Sequence, residues 1–287
     1  MTRDPFPFAI NTYSYTPSHA AQDCIRHLAA QGYTDFELMM YPGHLWPSAT
    51  DAAARRELRA LVESQGLRIV SLNMPNIDLN IAAAAEEMRR HTLGLLHAFL
   101  ELAGDLEVPG VVIGPGKANP LMPAPTERLI GHFFRALDEL APHAERVGTR
   151  LYVENMPFAF LPDAERLMAA LERYGDERIA VIYDVPNAVF IGEDPGEGLR
   201  RVRSRLKLVH LSDTPREVYR HSAVGEGVVP FATIPPLLDE VGYGDLPMLE
   251  IIADDPDHAI PASIERLFAL GWPRRGRALS PSQVGGA

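Results

Sequence analysis

Four residues in the second half of the chain carry groups able to do chemistry, and they recur at a steady interval: Glu154, Asp184, His210 and Glu250. Each stands at or near the end of a short apolar run: Leu151-Tyr152-Val153-Glu154-Asn155, Ala180-Val181-Ile182-Tyr183-Asp184, Leu208-Val209-His210-Leu211-Ser212-Asp213 and Pro247-Met248-Leu249-Glu250-Ile251-Ile252. They are 30, 26 and 40 residues apart. Three carboxylates and one imidazole make a hard, oxygen-rich ligand set. It suits one divalent ion, manganese first, with magnesium, cobalt or zinc as alternatives, rather than a metal held by soft thiolates. An acid after a strand is also a common helix cap or rim charge. Glu154 and Glu250, however, have apolar sequence neighbours, and burying a carboxylate there without a cation is costly.

The elements that would position these groups follow from periodicity. Apolar, β-rich runs at 6–12, 34–40, 67–73, 110–114, 150–155, 179–184, 206–212 and 247–252 alternate with amphipathic segments at 18–30, 50–64, 82–102, 126–147, 163–174, 196–203, 232–241 and 259–270. Leu129, Phe133, Leu137, Leu140 and Ala144 form one helical stripe. Eight βα units in strict alternation imply parallel strands with crossover helices. Their total length predicts a closed single-domain (β/α)8 TIM barrel over 1–272. The competing open, doubly wound sheet usually has a Gly-rich loop after its first strand; here that run ends Asn11-Thr12-Tyr13-Ser14-Tyr15. In a barrel, the ends of strands five to eight converge on one side of the mouth, where active sites sit. The Arg-, Ser-, Pro- and Gly-rich segment 273–287 reads as a flexible C-terminal tail.

Composition narrows the function classes. Of 287 residues, 46% are hydrophobic and 23% charged, enough for a full core. The net charge of −11 argues against a general grip on nucleic acid or anionic membrane. A single cysteine, Cys24, rules out an intrachain disulfide and a cysteine-based zinc cluster. With no secretory h-region at the start and no apolar stretch of spanning length, the expected location is the cytoplasm.

Further residues stand where a barrel mouth would be. Lys117, in Gly114-Pro115-Gly116-Lys117, could meet a substrate oxygen or carboxylate, or be a solvated loop lysine; the loop is too short for a Walker motif. Asn11 and Tyr13 end the first run, and Asn73 and Asn76 follow the third; all could line a pocket or serve packing. Tyr41, His44 and Trp46 could form an apolar wall. The histidines at 19, 27, 91, 97, 132, 143 and 258 lie in helical patterns and read as surface or core filling.

The pattern resembles the xylose-isomerase-like, or AP-endonuclease-2-like, barrels, which include sugar isomerases and epimerases, inosose dehydratases and endonuclease IV. The resemblance covers roughly residues 6–270. It rests on Val153-Glu154-Asn155, Asp184-Val185-Pro186-Asn187, Val209-His210-Leu211-Ser212-Asp213, the stretch from Arg220 and His221 to Gly225-Glu226-Gly227, and Leu249-Glu250. It implies that Glu154, Asp184, His210 and Glu250 are the ligands of a single metal, and that the two glutamates also exchange the substrate's α-proton. It further implies substrate-binding roles for Arg216, six residues after His210, and for His221 and Asn187. Lys117, Asn73 and Tyr13 complete the candidate substrate-binding set.

Departures separate this chain from endonuclease IV, whose outer zinc ions need extra histidines. Here the third run ends in Asn73, the fourth in Gly114, and Asn187 and Tyr219 stand where the family's endonucleases use further ligands. The expected activity is therefore a divalent-metal-dependent isomerase or epimerase that abstracts the proton α to a carbonyl of a small polyhydroxylated ketone or aldehyde. The alternative is a lyase or dehydratase on a keto-cyclitol, keto-sugar or dehydroshikimate-like substrate; endonuclease IV-like hydrolysis ranks below both. A small carbohydrate-like molecule is the expected partner, without nucleic acid or membrane. Relatives often pair, so a homo-oligomer stays open.

Overall fold

The computed structural model describes residues 6–74 and 78–274, so Asn76 and nearly all of the 273–287 segment lie outside the described residues. Each apolar run contains one strand. They are β1 (Ala9–Asn11), β2 (Asp35–Met39), β3 (Arg68–Asn73), β4 (Val111–Ile113), β5 (Leu151–Glu154), β6 (Ala180–Asp184), β7 (Leu206–Leu211) and β8 (Met248–Leu249). All pair in parallel with their sequence neighbours, and β8 returns to β1, closing the barrel.

The helices are α1 (Ala21–Gln31), α2 (Ala52–Ser64), α3 (Glu86–Asp105), α4 (Thr126–Arg146), α5 (Ala164–Tyr174), α6 (Val185–Ile191), α7 (Pro195–Val202), α8 (Ile234–Glu240) and α9 (Pro256–Ala269). The α4 stripe of Leu129, Phe133, Leu137, Leu140 and Ala144 is buried, as its spacing requires. Two differences from the expected pattern bear on the mouth. Helix α3 starts at Glu86 rather than near 82, which lengthens the loop that carries Leu79 and Ile81. The short α6 begins directly after β6, where the sequence pattern implied only a loop. Asp184 caps it, accepting the Asn187 amide at 2.6 Å.

The main core lies between the strands and the helix ring and includes Phe36, Phe99, Phe133 and Leu137. A second cluster of Val112, Tyr152, Ile182 and Leu208, packed against Val70 and Ala180, fills the barrel interior. That interior is a packed core and not a pore.

Two register shifts aim side chains at the mouth. Phe36 is opposite Ile69, but Glu37 is opposite Ser71, so Val70 is skipped. Likewise Val181 is opposite Leu206 and Ile182 opposite Leu208, which brings Asp184 level with His210. Such bulges re-aim side chains beside functional sites. No helix among the described residues is long and apolar enough to cross a membrane.

Candidate metal centre and cavity

Each strand from β5 to β8 delivers one group to the mouth. Glu154 is the last residue of β5, Asp184 the last of β6, His210 lies one residue before the end of β7, and Glu250 directly follows β8. One ligand atom from each lies within 4.8 Å of the others, and all four residues are buried. Nδ1 of His210 is 3.1 Å from Glu250 Oε2, 3.5 Å from Glu154 Oε1 and 3.8 Å from Asp184 Oδ2.

Local hydrogen bonds hold these ends in place. Asn155 donates to the Asp184 carbonyl at 3.0 Å and accepts its amide at 2.7 Å, tying β5 to β6. Asp184 divides its carboxylate: Oδ1 caps α6, while Oδ2 is buried with no hydrogen-bond partner.

The electrostatics call for a cation. Burial, reinforced by Glu250 and Glu37 against the counter-pull of His210, pushes the Glu154 carboxyl up to about 7. Burial and then the charges of Glu154 and Glu250 hold Asp184 well above the ordinary carboxylate range. Burial alone would lower the His210 imidazole, but Glu37 and Glu250 outweigh it and raise it well above its usual value. Three crowded carboxylates, an imidazole edge facing them and an orphaned Asp184 oxygen fit one divalent ion. The donor set suits manganese, magnesium, cobalt or zinc.

Above this cluster opens a cavity of about 280 Å³. Glu154 and Glu250 line it, whereas Asp184 and His210 are not among its lining residues and are fully buried. Asn187, His221, Lys117, Asn73 and Tyr13 also line it. Burial lowers the His221 imidazole and the Lys117 amine, and raises the Tyr13 hydroxyl.

Arg216 does not line the cavity. It belongs to an exposed segment with Glu217 and Val218, and the loop turns back inward only at Tyr219. The Tyr219 hydroxyl is 2.7 Å from both Asn187 Oδ1 and His221 Nε2. Asn187 Nδ2 is 3.5 Å from Glu154 Oε1, and His221 Nδ1 is 3.4 Å from Glu250 Oε2. A polar chain thus runs along the wall from one glutamate to the other. The Asn187 amide is oriented by Asn155, whose carbonyl accepts its Nδ2 at 2.9 Å. Asn187 Oδ1 can only accept, as can the Glu250 carbonyl 3.3 Å from His221 Nδ1, so the His221 tautomer sets whether the Tyr219 hydroxyl donates to Asn187 or to His221 Nε2.

The Gly225-Glu226-Gly227 motif shapes this loop. Asp213 accepts the backbone amides of Thr214, Gly225 and Val229 at 2.8 to 3.0 Å. Gly225 adopts φ +90°, and a Cβ on Gly227 would come within 2.4 Å of Asp213 Oδ1.

The proposed aromatic wall of Tyr41, His44 and Trp46 is not in the cavity. His44 is held between Thr12 Oγ1 and the His19 carbonyl, and Trp46 packs on Phe99. The apolar lining comes from Met39, Met74, Leu79, Ile81, Met156 and Phe158.

Sequence reasoning passed over Tyr219 and Glu37. Glu37 is fully buried in β2, with Oε1 3.2 Å from His210 Nε2. The available signal was a glutamate among Phe36, Leu38 and Met39.

The sequence profile described as xylose isomerase-like TIM barrel matches residues 25–270. The chain belongs to that family. Among curated sequences, an uncharacterised protein of Methanocaldococcus jannaschii is 24% identical over 189 residues, covering 63% of this chain and 64% of that protein. A probable endonuclease 4 of Chloroflexus aurantiacus is 25% identical over 193 residues, covering 60% and 66%. The chain thus spans less than two thirds of the length of these relatives.

Solved family structures share the fold. A D-tagatose 3-epimerase-like protein superposes with a TM-score of 0.78 at 21% identity, covering 92% of this chain and 96% of that one. The 3-keto-D-glucoside 4-epimerase YcjR of E. coli gives 0.75 at 18%, covering 92% and 99%. The IOLI protein with a bound zinc atom gives 0.74 at 16%, covering 92% and 95%.

Proposed function

We propose that the protein is a divalent-metal-dependent sugar isomerase or epimerase that moves a proton α to a carbonyl. The observation that carries this reading is the division of the four clustered residues. Asp184 and His210 are buried beneath the cavity, while the two glutamates border it. Two carboxylates facing one small cavity can remove a proton from one side of a carbon and return it on the other.

Glu154, Asp184, His210 and Glu250 would hold the ion, with manganese placed first. Bound there, a divalent cation supplies Lewis acidity toward a carbonyl and its neighbouring hydroxyl. The chain's own residues do the rest. One glutamate takes the α-proton as general base, and the other delivers a proton to the opposite face or the adjacent carbon. The lowered His221 imidazole is neutral at pH 7, and in the tautomer with its hydrogen on Nε2 its Nδ1 can accept from Glu250 when that carboxyl is protonated. Asn187, Tyr219 and His221 orient substrate oxygens along the wall, and Lys117, Asn73 and Tyr13 offer further polar contacts. Met39, Met74, Leu79 and Ile81 exclude water and provide a face for the C–H side of a small polyhydroxylated ketone or aldehyde. The epimerase names of the structural neighbours YcjR and the tagatose-epimerase-like protein support this substrate class.

Elimination is the second reading. The same two glutamates could serve it: one takes the α-proton of a keto-cyclitol, keto-sugar or dehydroshikimate-like substrate, and the other protonates the departing β-hydroxyl. Hydrolysis of the endonuclease IV kind fits less well, because the described residues contain one metal-type cluster and Asn73 and Asn187 occupy positions where extra histidines would be needed.

NMR in D₂O with Mg²⁺, over ketoses, inososes and dehydroshikimate, tests the proposal. Deuterium at an α-carbon with the skeleton intact is the expected result. A new olefinic signal with loss of water would establish the lyase, and no exchange across the panel would refute proton abstraction.

A further inference from the structure

We infer that Glu37 is a positioning residue for the metal centre: its carboxylate fixes the His210 ring so that Nδ1 faces the three clustered carboxylates. The inference rests on the metal reading of that cluster and extends it to the opposite half of the barrel.

Glu37 is fully buried in the middle of β2, yet it is neither a member of the four-residue cluster nor a cavity-lining residue. Its oxygens are committed elsewhere. Oε1 accepts Asn11 Nδ2 at 2.6 Å and Asn73 Nδ2 at 3.0 Å, and Oε2 accepts Ser71 Oγ at 2.7 Å. The remaining neighbour of Oε1 is His210 Nε2, at 3.2 Å; in this structure Nε2 completes no hydrogen bond, and the ring pairs through Nδ1 with Glu250 Oε2 at 3.1 Å. A carboxylate held by three donors is fixed in orientation and can act only as an acceptor.

This decides which imidazole nitrogen is free. A neutral imidazole carries one N–H. With a divalent ion held by Glu154, Asp184 and Glu250, Nδ1 would give up its hydrogen to become a ligand, and the Glu37 carboxylate is the acceptor beside Nε2 toward which the ring's one hydrogen would then point. Without an acceptor at Nε2, the hydrogen could reside on Nδ1 and block it. A carboxylate behind a ligating histidine also strengthens the ring as a donor.

The strand register builds the arrangement. Asn11 is the register partner of Glu37 across β1 and β2. The bulge between Phe36 and Glu37 sets Ser71 beside Glu37 and bypasses Val70, which has no hydroxyl to offer. Asn11 Nδ2 also lies 3.3 Å from Glu250 Oε1. One amide therefore touches both the carboxylate that orients His210 and a second member of the cluster. Side chains from β1, β2 and β3 thus brace groups presented by β7 and β8.

Glu37→Gln separates charge from geometry. The amide oxygen can replace Oε1 toward Asn11 and Asn73, and the amide NH₂ can donate to Ser71 Oγ, but an uncharged oxygen holds the Nε2 hydrogen far less firmly than a carboxylate. The experiment titrates the full metal-free chain with Co²⁺ and follows its visible d–d absorption. Melting of the metal-free protein is recorded in parallel. The expected result is a Co²⁺ affinity about 10- to 100-fold weaker than wild type, with the melting temperature of the metal-free protein kept. Unchanged Co²⁺ affinity would overturn the inference and leave the metal reading standing, including when the variant melts earlier. If Glu37→Gln does not fold, Ser71→Ala decides: it loosens Oε2 alone and should weaken Co²⁺ in the same direction by a smaller factor, whereas wild-type affinity would refute the role. Failure of the wild-type protein to bind Co²⁺ at its cluster would overturn the metal reading and this inference with it.

Discussion

Strands β5 to β8 bring Glu154, Asp184, His210 and Glu250 to within 4.8 Å of one another. Strands β2 and β3 and the loop after β3 bring Met39, Met74, Leu79 and Ile81 to the same cavity. The two halves of the mouth share a backbone plan, with parallel strands ending at one rim, but differ in what they present. One half concentrates charge and proton-transfer groups. The other presents mainly apolar side chains to the cavity, with Lys117, Asn73 and Tyr13 among them, and hides the Glu37 carboxylate behind His210. The contrast teaches that the charged half depends on the apolar half twice. Low local polarity strengthens every electrostatic contact at the glutamates, and the buried Asn11–Glu37–Ser71 layer orients the cluster from behind.

Substitutions on either half can break this comparison. The largest effect is expected from the glutamates that border the cavity. Glu154→Gln and Glu250→Gln should each lower turnover about 10²- to 10⁴-fold, measured on whichever substrate shows deuterium exchange. Near-normal turnover in either variant would remove that glutamate from the acid/base role. His210→Ala should act differently, through loss of the ion: elemental analysis of the purified variant should find the divalent metal content of the wild type stripped away.

Proton linkage gives an effect of intermediate size. In the metal-free protein Glu154 is raised from 4.5 to about 7. The folded state therefore binds more protons than the unfolded state between those values, and stability falls as pH rises through that window. The raised His210 acts in the same sense. Imidazoles lowered by burial, His44 and His221 among them, work in the opposite sense, so the effect is read against Glu154→Gln: without metal, the melting temperature of the wild type should drop relative to that variant from about pH 5 to about pH 7. Added Mn²⁺ should oppose that drop, because it requires the deprotonated groups. A metal-free wild type that gains stability relative to Glu154→Gln over this range would contradict the assigned environment.

On the apolar half, Ile81→Asn should raise KM about 10-fold with little change in kcat, since it alters the wall and not the proton-transfer groups. An equal loss in kcat would dissolve the distinction between the halves. Arg216→Ala should leave both constants within about 2-fold of wild type, because Arg216 lies on the exposed part of its loop; a large loss would show that the loop closes over substrate.

The charged half was legible in the sequence because its signals are local. An acid or imidazole ending an apolar run marks a strand end wherever the fold repeats, and four such ends in consecutive units define a site. The barrel itself was legible for the same reason, since period and alternation survive without knowledge of contacts. Tyr219 and Arg216 lie three residues apart in one long loop, and spacing from His210 alone pointed to Arg216, which does not line the cavity. Only the turn back inward, fixed by Asp213 and its amide donors, selects Tyr219. Glu37 required register. Its partners Asn11, Ser71 and Asn73 come from two other strands, β1 and β3, and the β-bulge that brings Ser71 opposite it leaves no mark in the spacing of residues. Helix α6 was hidden because its seven residues follow β6 with no intervening loop.

The most direct test of the central claim is a crystal structure of the protein soaked in Mn²⁺, with the ion located by anomalous scattering. The account predicts one strong peak per chain, ligated by Glu154, Asp184, Glu250 and Nδ1 of His210. A peak elsewhere, three peaks at the mouth, or a structure with no ion in this cluster would contradict it.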